Sequence, residues 1–473
     1  MSKINVRIEG ISIQGLKNVL NGSIVFKNPR TPFRANVLGL YGQNGSGKTA
    51  LIDAVELLRL ALCGEQIPSK FADFINVDAP YARLKYQLNM KNEDEAYDVV
   101  YEFCIKKDTA AVSTNAYPEE RKSGEYRVVL FDEVLSYAFA AGAAKCRMSR
   151  LIDTRTQGVF LPRAKYECLI GTDDKIETEL LVAKKIASVT SRSFVFSREL
   201  LQIIRSRRED ADEERRRHRF VLERLVSFGN FELFVINTTN SGLISMDALP
   251  LSFKYEEGDS GAVGSLMVPL DNASVYLEKE LKIIKKIINS MNGVLSQIIP
   301  ELTIDVRELG NMILQDGKIG VQIQLVSCRD GKEIALRYES EGIKKIISVL
   351  HLLINVYNRE SLTVAIDEFD AGIFEYLLGE ILRVVSEKGK GQLIFTSHNL
   401  RPLETLDRGY IAFTTTNPSR RYIRMTNVKG NNNLRDFYYR DIVLGEQSEP
   451  VYEPTSNYEI ALAFREAGDL GGA

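Results

Sequence analysis

Three histidines and five cysteines are the whole supply of imidazole and thiol ligands in 473 residues. The cysteines (Cys63, Cys104, Cys146, Cys168, Cys328) are odd in number, scattered and never spaced C-x-x-C. A structural zinc site is therefore not expected, and the pattern suits a reducing cytoplasm. No run of about 18 apolar residues occurs, which predicts no membrane-spanning helix. The opening MSKINVRIEGISIQG lacks a basic region followed by an apolar run, so no signal peptide is expected. A formal net charge of −2 removes any global attraction to nucleic acid or anionic membrane and leaves such contact to a local patch. What is present, 44% hydrophobic and 26% charged residues, is the balance of a folded chain. Its length fits two or three domains, or one large domain with an insertion.

Residues 4–27 alternate apolar and polar positions, with turn signals at Gly15 and Asn21–Gly22, and read as two or three strands. NVLGLY (36–41) is a continuous apolar run suited to a buried strand, and Leu51, Ile52, Val55, Leu58 and Leu62 then recur at helical spacing. A hairpin is expected within 83–106, where a polar turn separates two alternating segments. The character changes between 140 and 300. RSRREDADEERRRHR (205–219) holds seven arginines against five acids, and reads either as a salt-bridged exposed helix or as a phosphate-binding patch. LEKELKIIKKIINSMNGVLSQII (277–299) carries apolar residues at 277, 281, 284, 288, 291, 295 and 298, a heptad-type seam for local packing or an intermolecular coiled coil. Strands return near 302, followed by a helix over 341–357 and by two buried strands, SLTVAIDE and GQLIFTSHN, with a helix between them. The expected organisation is an α/β head in two halves, 1–140 and 301–473, split by a largely helical insertion, 141–300.

The loop Gly42-Gln43-Asn44-Gly45-Ser46-Gly47-Lys48-Thr49 fits G-x-x-x-x-G-K-[ST], with a strand before it and a helix after it, the context this phosphate-gripping motif requires. Its glycines let backbone N–H groups converge on phosphate oxygens, and the helix N-terminus adds positive potential. Lys48 is expected at the β- and γ-phosphates and Thr49 on Mg²⁺. Asp367 and Glu368 end an apolar strand, where one carboxylate can hold Mg²⁺ and its neighbour can orient or polarise an attacking water. A solvated strand-to-helix turn is the other reading. His398, after the next strand, is a candidate for the γ-phosphate or a satisfied histidine with no role. Ser340 and Gly342 open the helix over 341–357, as an N-cap alone or as a cap that also meets phosphate. Asp210-Ala211-Asp212 has no apolar strand flanks and reads as solvated helix or loop, not as a metal-binding nuclease centre. Phe437, Tyr438 and Tyr439 fit a core or subunit contact better than base stacking.

The Lys48 loop, SEG (340–342), AIDEFD (365–370) and SHN (397–399) stand in the order found in ABC-type ATPase heads of the structural-maintenance-of-chromosomes (SMC) and overcoming-lysogenization-defect kind, which this chain resembles. INVRIEGISIQGLKN also looks like the opening strands of those heads. The resemblance implies a Mg²⁺-dependent ATPase that binds ATP through Gly42–Thr49. Thr49 and Asp367 hold the metal, and Lys48, Glu368 and His398 are catalytic. It also implies a homo-oligomer, a head-to-tail dimer at least and up to a hexamer, in which Ser340 and Gly342 act on the nucleotide of the opposite copy. ESEGIKK departs from the L-S-G-G-Q-like signature, and AGIFE replaces the usual alanine-leucine-aspartate loop. The Q-loop glutamine has no clear counterpart beyond Gln87. A helical arm of about 30 residues spans only about 45 Å, so the long rods of chromosome-organising relatives are excluded. Short-insert heads of this type resemble the AAA15 group used in bacterial anti-phage systems, which implies a separate Toprim-type nuclease effector and a phage protein as trigger. The alternative is a DNA-repair or DNA-organising ATPase that grips nucleic acid through the insertion.

Overall fold

A computed structural model describes residues 4–26, 36–92, 94–109, 126–142, 144–207, 212–237, 248–257, 260–314, 317–426, 433–445 and 447–470. Asp210 and Ala211 of the D-x-D lie outside the described residues. The chain begins with the strands β1 (Asn5–Leu16) and β2 (Val19–Val25), and the turn between them falls at Lys17–Asn18. The expected turn at Asn21–Gly22 lies instead inside β2, paired with Gln14 and Ile13. After β3 (Asn36–Tyr41) and helix α1 (Lys48–Leu62) come four long antiparallel strands: β4 (Ala82–Lys91), β5 (Glu95–Thr109), β6 (Tyr126–Ala141) and β7 (Ala144–Asp153). They extend the first pair into one sheet of order β2-β1-β4-β5-β6-β7. Alternating burial, regular in β4 and shifted in β1 by an irregularity between Ile8 and Gly10, gives this sheet one buried face.

Four helices follow, α2 (Arg163–Leu169), α3 (Asp174–Val189), α4 (Arg198–Ser206) and α5 (Glu213–Phe231), and they cover that sheet. Here the expected helical insertion over 141–300 fails as a unit. It also contains β7, β8 (Leu233–Ile236), β9 (Ala248–Glu257), β10 (Ser260–Pro269) and β11 (Ser274–Tyr276), ahead of α6 (Glu278–Ile298). The physical reason is that β8 forms the edge of the second large sheet: it pairs in parallel with a strand 130 positions later, Ile236 opposite Ile366. The middle of the chain is thus woven into the head. The charge run opens α5, with Arg217 paired to Glu213 at 2.6 Å, while Arg215 is buried and donates to the Arg207 carbonyl at 2.8 Å. α6 buries Leu281, Ile284, Ile288, Met291 and Leu295 within its own chain, so the seam is local packing.

The last part supplies β12 (Thr303–Ile313), β13 (Ile319–Arg329) and β14 (Lys332–Ala335). α7 (Glu341–Asn358), β15 (Thr363–Ile366), α8 (Glu375–Lys388) and β16 (Gln392–Thr396) follow. The chain closes with α9 (Pro402–Thr405), β17 (Ile411–Thr414), β18 (Tyr422–Ile423), α10 (Leu434–Leu444) and α11 (Asn457–Leu470). The second large sheet has the order β18-β17-β3-β16-β15-β8, parallel except for β18. Its central strands are buried along nearly their whole length because both faces are covered. α1 lies between the two large sheets, which explains why it is buried on nearly every side and not on one face. Within the described residues, no helix is long and apolar enough to cross a membrane.

Candidate functional site

β3 delivers the chain to the loop 42–47 and α1 carries it away. Gly42 must be glycine, because a Cβ there would sit 1.8 Å from Thr414 Oγ1. Gly47 caps α1 at φ 94°, a left-handed conformation open to glycine at little cost. The first turn of α1 contains no acidic residue, so the positive end of the helix and its unpaired N–H groups stay available to an anion. Lys48 folds back so that its ammonium donates to the Gly42 carbonyl at 2.8 Å and the Gln43 carbonyl at 3.0 Å. Burial lowers its pKa to about 8, against the opposing pull of Asp367, Glu368 and Asp370.

In the sheet, β16 separates β3 from β15, and its last residue, Thr396, organises the acids. The Thr396 hydroxyl donates to Asp367 Oδ1 at 2.6 Å and accepts from the Glu368 amide at 2.8 Å. The Thr396 carbonyl accepts from Phe369 at 2.9 Å. Glu368 itself adopts φ 46°, a left-handed backbone that costs a non-glycine residue about 1–3 kcal/mol and needs such anchors. Across the cleft the Thr49 hydroxyl faces Asp367 Oδ1 at 3.5 Å. Asp370 Oδ2 accepts from the His398 and Asn399 amides at 3.1 and 2.9 Å, which fixes the chain after β16. Its Oδ1 is buried with no hydrogen-bond partner among the described residues.

One cavity of about 720 Å³ collects Asn44, Gly45, Gly47, Lys48, Thr49, Asp367, Glu368 and His398. The two distant segments of the sequence therefore meet. His398 lines the cavity with an exposed side chain, and its pKa is lowered by partial desolvation and next by the charge of Lys48. Gly42, Gln43 and Ser46 do not line the cavity and shape the loop from behind. Ser46 Oγ meets Thr414 Oγ1, and Gln43 Oε1 accepts from the Glu453 amide at 2.9 Å. Ser340 and Gly342 are also absent from its wall. Ser340 caps α7 by accepting from the Ile343 amide at 3.3 Å, and Gly342 packs against the backbone of Gly372. Gln87 lies in β4, paired with Val100 and away from the cavity.

Sequence reasoning missed several contributors. Lys17 and Asn18, at the β1–β2 turn, line the cavity; Lys17 pairs with Asp53 and lies 4.0 Å over the Phe74 ring. Asp53 is pushed up to about 6 by burial, with Lys17 pulling the other way. Thr396 adjoins the quoted SHN, yet a hydroxyl there carries no distinguishing pattern. Lys345 lies in the quoted SEGIKK and is buried, its ammonium donating to the Glu368 carbonyl. Burial lowers its pKa to about 8, while Asp370, Glu368 and Asp367 oppose the fall. The donor set fits a triphosphate and a hard divalent cation: a glycine cradle at a helix N-terminus, an ammonium, and a hydroxyl facing a carboxylate.

No family model and no curated protein matches the chain. Among solved structures it is similar to an SMC head bound to the C-terminal winged-helix domain of ScpA, with TM-score 0.38, 13% identity, and coverage of 89% of this chain and 98% of that one. The SMC head domain from Thermotoga maritima gives TM-score 0.34 and 14% identity over 89% and 99% of the two chains. The recombination mediator RecF with ATP gives TM-score 0.35 and 15% identity over 84% and 94%.

Proposed function

We propose that the chain is a Mg²⁺-dependent ATPase of the ABC type, built as a head whose two halves close on one nucleotide. The observation that supports this most is the shared cavity, where Lys48 and Thr49 from one end of the chain meet Asp367 and Glu368 from the other. In this reading the loop amides and Lys48 hold the phosphates, and Thr49 and Asp367 hold Mg²⁺. The metal, when bound, neutralises developing charge on the phosphate oxygens. Glu368 orients a water and takes its proton, and His398 faces the γ-phosphate. Ser340 and Gly342, outside the cavity of their own chain, serve the nucleotide of a second copy in a head-to-tail homo-oligomer, a dimer or a hexamer.

In size, in DEFDAGIFEYLLGEIL and in SHNLRPLE the chain most resembles AriA, the ATPase subunit of the PARIS anti-phage system. On that resemblance we infer a head that restrains a separate Toprim-type nuclease and releases it when a phage protein is sensed. The rival DNA-gripping reading loses two arginines of the charge run, Arg215 to burial and Arg217 to Glu213, while Arg216 between them stays exposed.

The test is direct. Lys48→Ala is expected to abolish binding of fluorescent ATP, and Glu368→Gln to bind ATP without releasing phosphate. Wild-type phosphate release by both purified variants refutes the assignment.

A further inference from the structure

α7 touches the acidic turn at two points, one helical turn apart. At its N-terminal end Gly342 lies so close to Gly372 that a Cβ on Gly342 would come within 2.0 Å of the Gly372 carbonyl oxygen. Three residues on, Lys345 is 2% exposed and donates to the Glu368 carbonyl. Segment 368–372 is thereby held to α7 at its first and last residues. Glu368 needs this support, since its φ of 46° is unfavourable for any residue with a side chain. Thr396 holds its amide from the sheet side at 2.8 Å, while its carbonyl accepts from the Ala371 amide at 3.0 Å within the turn and from Lys345 on the helix side. Together these anchors grip the peptide units on both sides of the Glu368 Cα and set where its carboxylate points. Lys345 does not line the cavity and reaches the site through the Glu368 carbonyl. Its neighbour Lys344 faces elsewhere, pairing with Glu341 at 2.7 Å and approaching Asp271 at 3.5 Å.

We propose that Lys345 is a positioning residue for hydrolysis, holding the left-handed turn of Glu368 so that its carboxylate faces the cavity, and tying that orientation to the Ser340–Gly342 end of α7. The inference rests on the ATPase reading above and adds its control: displacement of α7 moves the turnover step and not nucleotide binding. A buried lysine that merely filled space would affect folding and binding together. Misplacing a reacting group by about 1 Å costs about 100-fold in rate.

The experiment uses the full chain with Mg²⁺ and ATP. Lys345→Met keeps the stem and removes the donor. It is expected to bind fluorescent ATP within about twofold of wild type and to lose about 100-fold in kcat. Turnover of Lys345→Met within about threefold of wild type overturns the proposal, as does a loss of binding parallel to the loss of rate. Should circular dichroism show Lys345→Met unfolded, Lys345→Leu, which also removes the donor, is judged by the same criteria. An inactive Glu368→Gln beside an active Lys345→Met sinks this inference alone, whereas an active Glu368→Gln sinks the reading beneath it.

Discussion

Thr396→Val isolates the clamp on the acidic pair. Valine keeps the shape of threonine and removes one hydroxyl that is 1% exposed and makes two bonds, to Asp367 Oδ1 at 2.6 Å and from the Glu368 amide at 2.8 Å. The bond to a carboxylate is worth about 1.5–3 kcal/mol, and the Glu368 N–H, left without a partner in the interior, costs about 1–3 kcal/mol more. Because the shape is conserved no cavity term is added, and the expected loss is about 3–5 kcal/mol of unfolding free energy. Thr396→Ser is the control. It keeps both bonds and loses a methyl group, for about 1 kcal/mol. Urea unfolding followed by circular dichroism, on nucleotide-free protein, measures all three chains. The turnover of Thr396→Val falls with its stability, since the Glu368 amide loses its anchor while the carbonyl keeps Lys345 and the Ala371 amide. The reasoning is refuted if valine costs less than about 1 kcal/mol, or if serine costs as much as valine.

The parts of this fold that were legible in the sequence are those where one chemical demand fixes several residues at once. The loop 42–49 needs its glycines and its lysine in order, and β15 and β16 are continuous apolar runs because parallel strands are covered on both faces. The insertion was misread for reasons that differ from strand to strand. Ala144–Arg150 is exposed throughout, and it joins the sheet by backbone bonds to β6 alone. Leu233–Ile236 is only four residues long and directly follows a charged helix, so nothing local separates it from that helix's last turn. Its place is set by a partner far along the chain, information that periodicity does not carry. Lys345 failed to stand out for a related reason. A lysine in an amphipathic helix reads as its solvent face, but α7 is buried around most of its circumference, Lys344 and Lys345 included. Those lysines make sense only once the acids and the loop at Asp271 are placed beside them.

Gly342→Ala should destabilise the chain by about 1–3 kcal/mol through overpacking against Gly372, more than Ser340→Ala, which removes one cap worth about 1 kcal/mol. Thermal unfolding ranks the two, and the reverse order would show that the α7–Gly372 contact yields easily. A last expectation concerns acid. His218 is 1% exposed, its Nδ1 lies 2.7 Å from the Tyr137 hydroxyl and its Nε2 3.4 Å from Glu214. Burial lowers its pKa from 6.5 to about 4, Lys165 and Arg217 push the same way, and Glu214 and Asp212 oppose them. The folded chain therefore binds fewer protons than the unfolded chain between these values. Its stability is whole above pH 6.5 and is lost as pH falls through 4. The full drop is about 3 kcal/mol, and urea unfolding at pH 7 and near pH 4.5 should recover most of it. His218→Gln cannot take up that proton, so its stability should fall less steeply over the same interval. Equal slopes for the two chains would mean that the imidazole finds water, or relaxes into it, when it is protonated.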